Sequence, residues 1–307
     1  MTDIAARFLY ALAAAFGHLP WAWSNRIGDV IAVLWRALGA RESRVARRNL
    51  ELAYPQMDAT ARARLRLAIL RTTARQALET LRFWTRPHAD NLALIRQAHG
   101  VELFDAAIAA GRGVIVAAPH YGNWELLNQW LAARTPLAIL YRPPESAIGE
   151  AFLQRVRADD AGRVTQVRAE GAAVRQLFKL LQGGGVVGIL PDQQPKAGDG
   201  AFAPFFGKQA LTMTLLPRLA ARTGAVVLFA YCERIASQGA PTFALRVEAA
   251  PVEIAATDPV VGAAALNAAV ERIARRDPAQ YQWTYKRYTL RPPGSGEDNP
   301  YRDLERH

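Results

Sequence analysis

From Val114 onward, short apolar runs of strand length alternate with segments of helical period, and this alternation limits the chain to a sheet covered by helices. GVIVAA is a glycine-bounded, β-branched strand, and the turn after it leads into the helical stretch WELLNQWLAAR. PLAILY, VVGILP and AVVLFAYCE read as further strands, and TFALRVEA as an edge strand. SAIGEAFLQRVRAD, AAVRQLFKLLQ, QALTMTLLPRLAARTG and GAAALNAAVERIARRD read as helices. Strands separated by helices pair in parallel, because the crossover returns the chain to the same end of the sheet. The expected fold class is therefore α/β: a mixed, mostly parallel central sheet flanked by helices. Upstream, residues 58–84 carry apolar side chains at helical spacing with no proline, with Asp58 or Thr60 as the cap, and a short helix is expected around residues 101–110.

The first forty residues have a different character. FLYALAAAF and IGDVIAVLWRAL are apolar, yet each falls short of the roughly 18–20 uncharged residues that a spanning helix requires. Arg7, Asp29 and Arg36 flank or interrupt them, while Trp21, Trp23 and Trp35 supply aromatics suited to a membrane interface. Arg41, Arg44, Arg47 and Arg48 follow at once. Two readings stay open: helices lying in one leaflet of an anionic membrane, or a helical pair packed on the core with its arginines solvated. A cleaved leader is disfavoured, since Arg7 is the only early basic residue and a second apolar helix follows.

Of 307 residues, 51% are hydrophobic, enough for a buried core, and the net charge of +11 suits a phosphate-rich or acidic partner. Nucleic acid fits poorly, because the aromatics sit inside apolar runs and no nucleic-acid-binding motif occurs. The single cysteine, Cys232, excludes an internal disulfide and a cysteine-rich zinc site, and its apolar setting marks a core residue. No G-x-S-x-G elbow is present, which weighs against a serine hydrolase. Neither HxH nor HExxH occurs, so no metal ligand set is expected, and no cofactor.

Chemistry concentrates in APHYGNWE. His120 follows a buried strand at its carboxyl end, where ligand sites form in open α/β sheets. Gly122 permits a tight turn, Asn123 is a good N-cap, and Glu125 falls in the first helical turn. The helix dipole favours Glu125 as an anion. Folded back, that carboxylate is expected to set the imidazole tautomer and stabilise the imidazolium formed when His120 takes a proton. No serine lies near His120 in sequence, which favours direct attack by a substrate hydroxyl over a covalent acyl-enzyme.

APHYGNWELL resembles the H-x4-D/E signature of the glycerolipid acyltransferase superfamily, and above all the branch that adds secondary lauroyl or myristoyl chains to Kdo-lipid A precursors. The resemblance runs in order through RNLELAYP (48–55), YRPP (141–144), LPDQQP (190–195), PFFGKQALT (204–212) and QYQWTYKRY (280–288). It implies His120 as general base and Glu125 as its partner. It also implies a substrate-binding role for Arg142, whose planar fork suits phosphate or a donor oxygen, and a site-shaping role for Asp192, Gln193, Phe206 and Gly207. Gly122 and Asn123 belong to the substrate-facing turn, and backbone N–H groups near Gly122, or Arg142, are the expected oxyanion donors. The family's Arg-x-Arg-x-Gly-like run reads RVRADDAGRV here, so Arg155 and Arg157 carry over weakly, and only Arg157 is retained.

The implied donor is an acyl carrier protein thioester, whose acidic carrier suits a basic surface, or else acyl-CoA; the implied acceptor is a lipid A precursor. The resemblance also implies residence at the bacterial inner membrane, with the catalytic domain on the cytoplasmic face. On this reading residues 1–45 form a membrane-associating helical segment, 46–291 the acyltransferase domain and 292–307 a flexible tail. A lysophospholipid, mannoside or other glycolipid acceptor is the alternative, since the catalytic pair does not distinguish acceptors.

Overall fold

The computed structural model describes residues 2–141, 146–157, 162–168, 171–235 and 239–304. Helices α1 (Thr2–Gly17), α2 (Trp21–Ala37), α3 (Arg41–Ala53) and α4 (Ala59–Thr85) open the chain, followed by the short α5 (His88–Leu92). Asp58 caps α4, accepting the Ala61 N–H at 2.8 Å, as its sequence suggested. Both α1 and α2 lie on α4. The small residues Ala6, Ala13, Gly28 and Ala32 are buried and permit the close approach. Asp29, a charge inside an apolar stretch, is held by the Arg75 fork at 2.9 and 2.8 Å.

The strands are β1 (Ile95–His99), β2 (Val114–Ala117), β3 (Leu137–Tyr141), β4 (Val164–Arg168), β5 (Val186–Ile189), the pair β6 (Gly200–Phe205) and β7 (Lys208–Met213), then β8 (Val226–Ile235) and β9 (Thr242–Ala249). Between them run α6 (Val101–Ala109), α7 (Trp124–Arg134), α8 (Ala147–Val156), α9 (Gly171–Gln182), α10 (Leu215–Thr223) and α11 (Pro259–Ala274). Seven strands form one sheet in the order β1-β9-β8-β2-β5-β3-β4. All neighbours pair in parallel except β8 with β9, so the sheet is mixed and mostly parallel, with helices flanking it. Every residue of β2 and β5 is buried, as expected of strands covered on both faces.

Three local expectations change. QALTM is strand rather than the start of a helix: β7 pairs antiparallel with β6, and only Leu215–Thr223 is helical. Phe206 (φ 48°) and Gly207 (φ 72°) form the two-residue turn of that hairpin, a conformation whose twist matches the strands. A phenylalanine is rarely left-handed, but its ring is buried edge-on against Tyr54 and Trp283, and that burial offsets the strain. Next, β9 is not an edge strand, because the polar segment Ile95–His99 pairs outside it. Lastly, the segment from Pro292, expected as a mobile tail, carries Tyr301 into the core, where its hydroxyl donates to Asn49 Oδ1.

Candidate active site

Adjacent parallel strands create the site. β2 and β5 are paired with Ala117 opposite Ile189. His120 stands three residues beyond the first and Asp192 three beyond the second, so both side chains leave the sheet at the same height. Asp192 Oδ1 lies 2.7 Å from His120 Nδ1, and Oδ2 accepts the His120 backbone N–H at 2.9 Å. Both residues are nearly enclosed, His120 at 8% exposure and Asp192 at 4%. Burial alone raises the Asp192 pKa, but the facing imidazole and the two hydrogen bonds from His120 bring it below the ordinary carboxylate value. An ionised Asp192 only accepts, so Nδ1 carries a proton, and in the neutral imidazole the lone pair is on Nε2. Gln193 Nε2 sits 3.2 Å from that lone pair, and Trp124 meets the imidazole edge-on with ring centres 4.9 Å apart.

The expected partnership of Glu125 with His120 is thus corrected: the imidazole's partner is Asp192. Glu125 belongs to the first turn of α7, and its carboxylate is taken by the Arg157 fork, Nε at 3.3 Å from Oε2 and Nη2 on Oε1. Glu125 is 4% exposed, so a charged partner there is obligatory. Arg157, the weakest of the expected site residues, is brought to Glu125 by the end of α8. Arg142 lies outside the described residues.

Gly122 and Asn123 shape the turn. Gly122 has φ +61°, and a Cβ there would fall 2.0 Å from the Cys232 carbonyl oxygen. Asn123 caps α7 by accepting the Leu126 N–H at 3.1 Å, while its own N–H donates to Cys232 O at 2.9 Å. Cys232 is fully buried and burial pushes its thiol pKa up, so it is a packing residue, as its apolar context indicated. The backbone N–H groups expected as oxyanion donors are already engaged: Tyr121 on Pro119 O, Gly122 on Gln280 O and Asn123 on Cys232 O. Behind the turn, the Tyr121 hydroxyl donates to Glu233 at 2.7 Å, and Arg246 and Arg276 close on the same carboxylate.

The segment 280–288, given no role from sequence, ties these loops together. Its Gln282 N–H donates to His120 O at 3.0 Å, and Gln282 Oε1 accepts from Gln193 Nε2 at 3.3 Å. The Tyr285 hydroxyl accepts the Gln194 N–H at 3.1 Å, and Asn49 Nδ2 donates to the carbonyls of Trp283 and Tyr285 at 2.7 and 2.8 Å. A small void of about 10 Å³, room for little more than one water, lies between this segment, Asn49, Asp192 and Gln193. Segments 48–55, 190–195, 204–212 and 280–288 therefore converge beside His120.

A buried imidazole with a fixed tautomer, an ionised orienter and an amide at its free nitrogen is equipped to take a proton from a hydroxyl. The comparisons with known proteins point to acyl transfer. The lipid A biosynthesis palmitoleoyltransferase of Escherichia coli (strain K12) is 27% identical over 285 residues, covering 89% of this chain and 90% of that protein. The lauroyltransferase of the same strain is 26% identical over 282 residues, covering 90% and 89%. A phosphatidylinositol mannoside acyltransferase of Mycobacterium tuberculosis (strain CDC 1551 / Oshkosh) is 27% identical over 190 residues, 61% of this chain and 60% of that one. The family described as bacterial lipid A biosynthesis acyltransferase matches residues 1–289, and this chain, an acyltransferase, belongs to it.

Proposed function

We propose that the protein transfers a fatty acyl chain of the lauroyl or myristoyl type from acyl carrier protein to a hydroxyl of a Kdo-lipid A precursor, with His120 as general base. The observation that carries this reading is the 2.7 Å contact of Asp192 with His120 Nδ1, which fixes the tautomer of the neutral imidazole so that its Nε2 lone pair faces Gln193. Asp192 orients the base and stabilises the imidazolium. Glu125 holds Arg157, whose side chain keeps 17% exposure, so that its charge can meet an anionic group of donor or acceptor. Arg142 is assigned the same kind of contact by its place in YRPP. Gly122 and Asn123 keep the base and the first turn of α7 in register beside the substrate. No cofactor is required, because a thioester already carries an activated acyl group.

The N-terminal helices give the reading a surface. Ile4, Phe8, Leu12 and Phe16 recur every fourth residue on α1, and Trp23, Val30, Val33 and Leu34 lie on α2, all exposed. Among the described residues no helix is long and apolar enough to cross a membrane. An apolar stripe of this kind beside arginines suits lying on an anionic bilayer, here the cytoplasmic face of the inner membrane. The net charge of +11 suits an acidic carrier protein as donor.

Incubating the purified protein with an acyl carrier protein thioester and a panel of acceptors, followed by mass spectrometry, tests the assignment. One acyl mass added to the lipid A precursor is the expected result. Transfer confined to a phosphatidylinositol mannoside, the second reading favoured by the mycobacterial likeness, or to a lysophospholipid, refutes it.

A further inference from the structure

We infer that Gln193 donates the hydrogen bond that stabilises the thioester oxyanion, and that Gln282 is the positioning residue that aims it. This rests on the acyl-transfer reading above. Addition of a hydroxyl to a thioester places negative charge on the carbonyl oxygen, and a donor must be waiting for it. Several described donors around the base are already committed. The N–H of His120 is held by Asp192, those of Tyr121, Gly122 and Asn123 by backbone carbonyls, and Nε and Nη2 of Arg157 by Glu125.

Gln193 differs. Its Nε2 lies 3.3 Å from Gln282 Oε1 and 3.2 Å from His120 Nε2, so one N–H is anchored and the second rests on the lone pair that the substrate must claim. With the amide turned over, Gln193 Oε1 would face both Gln282 Oε1 and the His120 Nε2 lone pair with no proton between them; these two acceptors together set which way the amide points. The Gln282 backbone N–H also donates to His120 O at 3.0 Å, so one residue registers both the base and the amide. A hydroxyl bound to Nε2 displaces the second N–H of Gln193. The thioester oxygen then arrives one bond beyond the attacked carbon, beside that freed donor.

The step balances without a co-reactant. The hydroxyl oxygen bonds to the thioester carbon, its proton passes to His120 Nε2, and the carbonyl π pair moves onto oxygen, which accepts from Gln193. Collapse re-forms the carbonyl and breaks the C–S bond. His120 returns its proton to the departing thiolate, giving ester and free thiol.

Steady-state kinetics on the full chain, with an acyl carrier protein thioester and a lipid A precursor, test the assignment. Gln193→Met keeps side-chain length and removes the donor. We expect kcat to fall about 100-fold with KM for both substrates nearly unchanged. Gln282→Leu is expected to lose roughly tenfold in kcat, whereas Gln282→Glu, which keeps an acceptor oxygen, stays within about threefold of wild type. Wild-type or higher kcat in Gln193→Met overturns the inference, since an amide that merely covers the resting base has that signature. So do equal losses in Gln282→Leu and Gln282→Glu. Thermal melting checks folding, and if Gln193→Met does not fold, the contrast between the Gln282 variants decides. A wild-type protein that transfers nothing overturns the acyl-transfer reading and this inference with it, whereas full activity in both wild type and Gln193→Met overturns the oxyanion assignment alone.

Discussion

Replacing Asp192 by asparagine removes one charge from the site while leaving its shape intact. In the native site the carboxylate stands 2.7 Å from His120 Nδ1, which puts the charge centres of carboxylate and imidazolium about 4 Å apart. At an effective dielectric of about 20, such a pair interacts by about 4 kcal/mol, or about three decades in rate if the imidazolium forms fully in the transition state. Asparagine also offers an N–H donor, which favours the tautomer with a proton on Nε2, where the base is needed. Asp192→Asn is therefore expected to lose about 10³-fold in kcat, with KM changed far less. The assay is acyl transfer to a lipid A precursor at pH 7–8, alongside thermal melting of both proteins. Stability has its own sign: the folded pKa of Asp192 is lowered, so its contribution is present above the ordinary carboxylate pKa and is lost as pH falls through the folded value. The wild type should thus exceed the variant in stability at neutral pH and lose that margin in acid. Turnover in Asp192→Asn within about threefold of wild type refutes the reasoning.

Gly122→Ala is expected to destabilise the protein by about 3 kcal/mol or more in urea unfolding, because its Cβ would collide with Cys232 O at 2.0 Å and φ is +61°. Glu233 is opposed by burial but held by Arg276, Tyr121 and Arg246, which bring its pKa from 4.5 down to about 2. Glu233→Gln should therefore be less stable than wild type at neutral pH, with the gap closing between about pH 4.5 and pH 2. A gap that stays constant in melting curves across that range counts against the network. Phe8→Glu combined with Leu12→Glu places charge on the exposed stripe of α1. Co-sedimentation with anionic vesicles should drop sharply, with soluble turnover retained; undiminished sedimentation argues against that face.

The alternation of strand and helix from Val114 onward carried the fold class, because buried parallel strands are continuous apolar runs that pattern alone reveals. The polar strand Ile95–His99 was hidden for the converse reason: it forms by pairing with β9, and most of its residues are exposed. The hairpin at Phe206–Gly207 was missed because QALTM fits helical spacing as readily as a strand, and a phenylalanine at φ 48° carries no turn signal. At the site, His120 was legible as a histidine leaving a strand. Its hydrogen-bonded carboxylate was not, since nearness in sequence favoured Glu125, whereas Asp192 is 72 residues away and adjacent only because β5 pairs with β2. The equal three-residue offsets of His120 and Asp192 from paired strand ends hold the missing signal, and it becomes readable only once the strand order is known. Gln282 lies in QYQWTYKRY with no signal of its own, because it joins the loops of His120 and Gln193, which the sequence alone does not bring together.

The base assignment is tested most directly by single-turnover acyl transfer with His120→Ala, using excess enzyme, an acyl carrier protein thioester and a lipid A precursor, and reading the product by mass. The wild type should convert the precursor to a species heavier by one acyl group, and the variant should leave it unchanged while melting at nearly the same temperature. Conversion by His120→Ala at a rate near that of the wild type contradicts the account.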